Sequence, residues 1–324
     1  VNELRYVDLF CGLGAFHEAF KKRTGLKCVL ACDVNEKVRG IYEANHGLKP
    51  LGDIRLIDPT SVSDFEILCA GFPCQSFSIA GLKKGFGDST NGNLFYEILK
   101  FVDAKNPPMV ILENVKNLKN HDGGNTYKVI EKSFLDRGYK FFSKVLDSSH
   151  YGSPQSRQRI FMVATKVSEF RFPEKFGNHI SVSSILDKSD SSSWDDTRYY
   201  LVKKNSKSKP FRPRIMYNVH SKATKKGGRQ GERVYDPDGC GVTVCASSGG
   251  PGAKTGLYKV GNNIRRLNVS ECLRMFGFPA SYDFLDAADE QKMFYLGNSI
   301  VVNVIDALVP EVLGTFSSLK SYIQ

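Results

Sequence analysis

The chain contains no apolar run approaching the roughly 20 residues needed to cross a bilayer, no Cys-x-x-Cys pair and no His-x-x-x-His partner near any cysteine. The first absence argues against a membrane-spanning protein, and the opening Val1-Asn2-Glu3-Leu4-Arg5 does not read as a signal peptide, so an intracellular setting is the expectation. The second makes a zinc site, or any metal site, an unlooked-for feature. Eight cysteines (11, 28, 32, 69, 74, 240, 245 and 272) in 324 residues are too sparse for a disulfide scaffold; most are expected to be reduced, and packing as a small buried hydrophobe is the default for each unless a special local setting promotes it. With 41% hydrophobic and 24% charged residues the composition excludes disordered and fibrous classes. The length suits about two domains. Acidic residues are in deficit, 34 against 45 Lys and Arg, and the resulting charge of +11 points to a polyanionic partner.

Along the chain, Arg5 to Phe10 reads as a strand that runs into Cys11-Gly12-Leu13-Gly14-Ala15-Phe16 and a helical stretch through Lys22. A second apolar run, Leu26 to Ala31, ends at Cys32-Asp33, and Asn35 to Asn45 has helical spacing. This is a βαβ pattern. Further alternation follows: strands at Phe65 to Ala70, Met109 to Leu112, Tyr139 to Leu146 and Ile160 to Ala164, with helices at Leu94 to Ala104 and Thr126 to Arg137. Such alternation predicts an α/β fold with a mainly parallel sheet covered on both faces. The Ser- and Asp-rich stretch Asp187 to Asp196, with Ser189 to Ser193 at its centre, reads as a linker or exposed loop. From Leu201 to Arg233 there are eleven Lys and Arg against one acid, Glu232, so most of the net charge sits in one tenth of the chain. A glycine-rich tract follows, with β-like runs such as Gly241 to Cys245, and predicts a smaller, irregular β-rich domain. Ile300 to Leu313 reads as an amphipathic helix returning to the first domain. The expected division is 1–180 with 290–324 for the first domain, 181–268 for the second and 269–289 for a hinge.

Three constellations could carry chemistry. The glycine turn after the first strand, with Asp33 at the tip of the second, is an arrangement that binds an adenosyl group, because glycine admits the ligand and a carboxylate accepts from both ribose hydroxyls. A dinucleotide fingerprint would want a third glycine where His17 stands. Gly71-Phe72-Pro73-Cys74-Gln75-Ser76 places Cys74 on a proline-stiffened loop at the carboxyl end of a strand, as a candidate nucleophile or an inert loop thiol. Glu113-Asn114 ends the next strand at the same edge, as a carboxyl over the same cleft or a helix-capping acid. In Gln155-Ser156-Arg157-Gln158-Arg159 the two arginines of an extended lead-in share a side, as a paired cationic clamp or as solvated surface groups.

In order and spacing, Asp8-Leu9-Phe10-Cys11-Gly12-Leu13-Gly14, Gly71-Phe72-Pro73-Cys74-Gln75-Ser76-Phe77-Ser78, Glu113-Asn114-Val115, Gln155-Ser156-Arg157-Gln158-Arg159 and Gly297-Asn298-Ser299 resemble the motifs of the DNA (cytosine-5)-methyltransferases. The resemblance covers essentially the whole chain. Within that family it is nearest to the compact bacterial restriction-modification enzymes of the HhaI type, with which Gly231-Glu232-Arg233-Val234-Tyr235 and Ala253-Lys254-Thr255-Gly256 are also shared.

The resemblance implies a Rossmann-like, S-adenosylmethionine-dependent methyltransferase domain plus a target-recognition domain, with S-adenosylhomocysteine as product and no metal. It implies that Cys74 adds to carbon 6 of a flipped cytosine, that Glu113 as the protonated acid binds the N3 and N4 edge, and that Arg159 with Arg157 holds the carbonyl or a neighbouring phosphate. Cofactor contacts carried over are Phe10, Gly12, Gly14, Asp33, Asp53, Ile54, Pro73, Leu94 and Asn298, with Asp53 on the adenine amino group. DNA contacts carried over are Ser78, Gln230, Arg233, Thr243 and Lys254, with Arg233 reading guanine and Gln230 filling the gap left by the flipped base. Arg229 reads as an extra residue in the loop from Gly227 to Tyr235, and Ala80 stands where a small hydroxyl is expected. The implied partner is double-stranded DNA with a GCGC-like target, in a monomer of the bacterial cytoplasm with no membrane partner. A cognate restriction endonuclease would act on the same site without direct binding. Three alternatives stand beside this: a tRNA cytosine methyltransferase, whose Cys-Phe-Thr motif is absent; a nicotinamide-dependent oxidoreductase, which leaves Cys74, Glu113 and the arginines unexplained; and a non-catalytic DNA-binding protein, which the presence of Cys74 disfavours.

Overall fold

β-Branched and aromatic runs alternate with amphipathic stretches through the first half of the chain, and in the computed structural model each becomes the element that its period dictates. The structure describes residues 3–23, 25–73, 94–204, 206–207 and 209–320, with side chains to 317. Strand β1 (Leu4–Leu9) is followed by α1 (Ala15–Phe20), β2 (Leu26–Cys32), α2 (Glu36–His46), β3 (Ile67–Gly71), α3 (Leu94–Lys105), β4 (Met109–Val115), α4 (Asn125–Leu135), β5 (Lys140–Asp147) and β6 (Gln158–Thr165). Helix α2 shows the local logic. The Asn35 side chain accepts from the amides of Lys37 and Val38, Val38, Ile41 and Tyr42 form the buried face, and left-handed Gly47 stops the helix.

These strands form one six-stranded sheet in the order β2-β1-β3-β4-β6-β5. Strand β1 runs parallel to β2 and β3, and β3 parallel to β4, whereas β6 is antiparallel to β4. The chain thus moves outward in one direction from β1 to β2 and in the other from β3 to β4. The carboxyl ends of β1 and β3 flank that switch point, where open α/β sheets bind ligands. Val7, Leu9, Leu68, Ala70, Val110 and Leu112 from the strands pack with Phe95, Ile98 and Val102 of α3 and with Ile130 and Phe134 of α4. Burial of each large apolar side chain contributes about 1.5–3 kcal/mol.

By internal contacts the chain divides into two units: Val1–Leu146, Gln158–Pro173 and Ile305–Gln324 form the first, and Asp147–Arg157 with Glu174–Val304 form the second. In the second unit β7 (Tyr199–Lys203), β8 (Ile215–Ser221), β9 (Arg233–Tyr235), β10 (Leu257–Val260) and β11 (Asn263–Arg265) form a sheet in the order β11-β10-β9-β8-β7, followed by α5 (Val269–Phe276) and α6 (Asp289–Asn298). Helix α7 (Val302–Lys320) starts in this unit and ends in the first. Residues 269–304 all fall in the second unit. The stretch Asp289–Ser317, made of α6, a short break and most of α7, is by length and composition long and apolar enough to cross a membrane, which the sequence did not lead one to expect; 61% of its most apolar window is buried inside the protein.

One local expectation is overturned. Gly241 to Cys245 is not a strand, because its polar groups are taken by the loop ahead of β6: the Gly241 amide donates to Pro154, the Ser156 amide to Gly241, and the Val244 amide to the Gln155 side chain. Only an isolated bridge, Gln155 with Gly241, remains. The Ser-rich segment is an exposed loop, as expected, and it is anchored at two points. Asp190 lies 3.3 Å from the Arg265 guanidinium and accepts from Asn268, and the Trp194 amide donates to the Ile264 carbonyl. The seven described cysteines carry free thiols.

The anchor of the second unit is Glu271, which is fully buried. Its carboxylate receives both Arg265 terminal nitrogens at 2.8 and 2.7 Å, the Asn268 amide at 2.9 Å and the Asp187 amide at 2.7 Å. Arg265 is itself only 2% exposed. Replacing Glu271 by Ala therefore strands a buried guanidinium and two amides, and urea unfolding should show a loss of about 3–5 kcal/mol.

Candidate active site and nucleic-acid interface

The turn after β1 is built on unusual backbone. Phe10, Gly12 and Gly14 all have positive φ, at 57°, 52° and 75°, and for Phe10 that left-handed conformation is uncommon enough to mark a constrained site. The turn is tied to the tip of β2, since the Gly12 amide donates to one Asp33 carboxylate oxygen at 3.0 Å and the Asn35 amide to the other at 2.9 Å. Burial raises the Asp33 carboxyl above the ordinary aspartate range, against the opposing pull of those amides and of Arg39. Behind it, Asp8 on β1 is pushed well up, first by burial and then by Asp33.

Asp53 reaches the same edge through backbone pairing. Leu51 bridges Cys32, its amide donating to Ala31 and its carbonyl accepting from Asp33. The Asp53 carboxylate caps a short 3-10 turn, Ile54–Leu56, and is gripped by the Arg55 guanidinium, which holds it below the usual carboxylate range. Ile54 is buried. Val34 and Leu56, beside the two carboxylates, are 73% and 86% exposed. Bare aliphatic surface of this kind is what a purine face would cover.

At the next strand tips, Gly71 of β3 pairs in register with Glu113 of β4. Glu113 is 7% exposed and its carboxylate lies 3.2 Å from Arg159 Nε on β6. The buried Asn114 side chain donates to the Phe72 carbonyl at 2.8 Å, fixing the backbone two residues before Cys74. Nothing in the sequence marked Asn114 for this task beyond its place next to Glu113. Pro73 is exposed and Leu94 half-buried. Cys74, Ser78 and Ala80 lie outside the described residues.

Arg157 does not act with Arg159 as a paired clamp. Its guanidinium is 3% exposed and donates to the carbonyls of Val244, Gly297 and Ser299 at 2.8, 2.8 and 2.9 Å, while stacking on Phe276. The expected shared face requires a regular extended lead-in, but β6 begins only at Gln158. Arg157 instead braces both sides of Asn298, which is exposed at the end of α6. Gly297 permits that packing, since a Cβ there would stand 2.1 Å from the Ala246 amide nitrogen.

The DNA-contact candidates gather in one loop cluster of the second unit. Gln230 donates to the Thr243 carbonyl at 2.9 Å, and the Thr243 hydroxyl to Ser156 at 2.6 Å. The Cys245 amide donates to the Lys254 carbonyl, and Lys254 Nζ to the Glu290 carbonyl. Arg233 opens β9, its Nε buried and without a hydrogen-bond partner among the described residues. Arg229, the extra residue, is exposed and paired with Glu232. Lys203, Lys204, Lys207, Lys209, Lys222, Lys225 and Lys226 are exposed around the β7–β8 hairpin.

A glycine turn joined to a strand-tip carboxylate, beside a buried carboxylate–guanidinium pair on a mainly parallel sheet, defines a Rossmann-like methyltransferase fold. Comparison with known proteins agrees. The chain belongs to the C-5 cytosine-specific DNA methylase family, whose model matches residues 4–313. It is 38% identical to the Type II methyltransferase M.HhaI of Haemophilus parahaemolyticus, over 98% of this chain and 97% of that one, and 34% identical to M.NlaX of Neisseria lactamica, over 98% of each. The crystal structure of the S. pombe Dnmt2 methyltransferase superposes with a TM-score of 0.72 over 97% of this chain and 99% of its own, at 19% identity, a likeness of fold. The chain is therefore a DNA cytosine-5 methyltransferase of the restriction-modification type that uses S-adenosylmethionine, and the oxidoreductase alternative is set aside. The glycine turn, the two carboxylates and the bare aliphatic side chains beside them suit the amino acid, ribose and purine parts of that cofactor.

If Asp33 accepts from the ribose hydroxyls, which bind an ionised carboxylate better than a neutral carboxyl, cofactor affinity should decline on acidification at higher pH than for an ordinary aspartate. Asp33→Asn should abolish that acid limb and weaken binding at neutral pH on the order of tenfold to a hundredfold. Calorimetric titration with S-adenosylhomocysteine across pH checks both.

Proposed function

We propose that this enzyme methylates carbon 5 of a cytosine flipped out of a short double-stranded DNA sequence, by way of a covalent bond between Cys74 and carbon 6. The observation that carries the reading is the Glu113–Arg159 pair beside Gly71, with Asn114 fixing Phe72 two residues before Cys74. Carbon 5 of cytosine is too weak a nucleophile to displace a methyl group unaided. Addition of the Cys74 thiolate to carbon 6 makes carbon 5 enamine-like, and Glu113 at the N3 and N4 edge holds the ring and stabilises the charge that arises there. Arg159 keeps Glu113 oriented and offers its remaining N–H groups to the ring carbonyl. The cofactor supplies a methyl group on a sulfonium. Once carbon 5 carries the methyl group, loss of its proton to a base re-forms the ring double bond as the carbon–sulfur bond breaks and Cys74 leaves as thiolate.

A target carbon inside a duplex is out of reach of this cleft, so the base must leave the stack. We assign the second unit to target recognition. Its exposed lysines would engage phosphates, Arg233 would read guanine through O6 and N7, and Gln230, on releasing Thr243, would fill the vacated space. A GCGC-like target, action as a monomer in the bacterial cytoplasm and a separate nuclease of the same specificity complete the proposal.

Cys74→Ser should abolish methyl transfer while duplex binding survives, and a duplex bearing 5-fluorocytosine at the target should trap a denaturant-resistant adduct with the unaltered enzyme; near-normal turnover by the variant would exclude the covalent route. Replacing Lys204, Lys222 and Lys226 by Gln should flatten the plot of log affinity against log salt by about 0.9 for each phosphate that is no longer neutralised. An unchanged slope would place this hairpin away from the DNA backbone.

A further inference from the structure

His17, standing where a third fingerprint glycine would be, has no part in the chemistry above. In nucleotide-binding turns that glycine allows close packing of helix on strand. Here the imidazole starts an aromatic stack instead. The His17 ring lies 4.4 Å from that of His46 at the end of α2, with planes 20° apart, and its Nδ1 is 2.8 Å from the Tyr42 hydroxyl. The Tyr42 ring meets His46 edge-on at 4.6 Å. His46 Nε2 is 3.3 Å from the Leu13 carbonyl, and since a carbonyl only accepts, the imidazole donates.

Leu13 is the centre of the glycine turn, and the stack fills the space directly behind it. A Cβ on Gly14 would lie 2.4 Å from His46 Nε2 and 2.8 Å from Tyr42 Cε2. The other groups facing the rings are Lys21 of α1, paired with Glu18 at 2.7 Å, and Cys28 of β2, 3.8 Å from the Tyr42 hydroxyl. Burial, with Lys21 adding to it, pushes His17 down to about 4, and burial with the neighbouring His17 pushes His46 down to about 3, so both rings are neutral.

We propose that His17, Tyr42 and His46 form a positioning brace that holds the Leu13–Gly14 peptide in the shape that receives the cofactor and ties this turn to α2, which begins three residues after Asp33. The inference rests on the assignment of the turn and Asp33 to S-adenosylmethionine. The brace sets affinity through preorganisation and leaves the methyl-transfer step alone.

His46→Phe keeps a ring in the stack but removes the donor to Leu13; His46→Ala removes both; His46→Gln keeps a donor without the ring. Titration with S-adenosylhomocysteine should show Kd raised on the order of threefold to tenfold in His46→Phe, more in His46→Ala and less in His46→Gln. KM for S-adenosylmethionine should rise in parallel, with kcat at saturating cofactor changed by no more than about twofold. Unchanged Kd in His46→Phe and His46→Ala overturns the brace, as does a fall in kcat at constant Kd. Should thermal melts show His46→Ala to be unfolded, His46→Phe and His17→Phe decide the matter on the same readout. If the unaltered protein fails to bind S-adenosylhomocysteine, or binds it as well after Asp33→Ala, the cofactor assignment itself fails; a large Asp33 effect beside silent His46 variants overturns the brace alone.

Discussion

The site depends on the register of the parallel ladder. Leu9 pairs with both Cys32 and Ala70, and Gly71 with Glu113, so β1, β2, β3 and β4 end together. Phe10, Asp33 and Phe72, which follow the first three strands, and Asn114, the penultimate residue of β4, therefore lie along one edge. A slip of one residue in β4 would turn Glu113 to the opposite face of the sheet. The antiparallel β6 completes the arrangement, because a strand running the other way begins where its neighbours end. Val115 pairs with Arg159, and the guanidinium meets Glu113 with no crossover helix between them.

Three carboxyl groups near this edge are set apart by their surroundings. Asp8 is buried among Tyr6, Cys28, Tyr42 and Cys69 and is pushed toward the neutral form. A neutral Asp8 spares Asp33 a like charge at close range, and two backbone amides favour the Asp33 carboxylate. Asp53, half-buried beside the exposed Arg55, is held low. Its exposed partner contributes little to stability, but any ligand group that approaches the Asp53 carboxylate must share it with that guanidinium.

The βαβ frame was legible because period, glycine and capping residues agree locally. Asn35 before Val38, Ile41 and Tyr42 announces α2, and the described strands of the first unit fall within a few residues of the hydrophobic runs. Asn114, Arg55, Tyr42 and His46 were not legible as site residues, since their tasks arise from register and from helices meeting in space. The strands of the second unit escaped for a different reason. They are short, β9 and β11 having three residues each, and β7 and β8 carry continuous runs, Tyr199 to Val202 and Ile215 to Tyr217, in place of a clean alternation. Arg157 shows the limit of side-chain periodicity. Two residues from Arg159 in sequence, it belongs to another network because regular strand geometry starts between them.

The loop Asp147–Arg157, although it interrupts the run from β5 to β6, belongs with the second unit. Ser153 and Gln155 donate to the Met275 carbonyl, and Arg157 reaches Val244, Gly297 and Ser299. The two units are therefore interleaved along the chain and not arranged end to end. A recombination that exchanged residues 174–304 alone would install a new unit lacking its own internal brace, so the unit moves intact only when this distant eleven-residue loop travels with it.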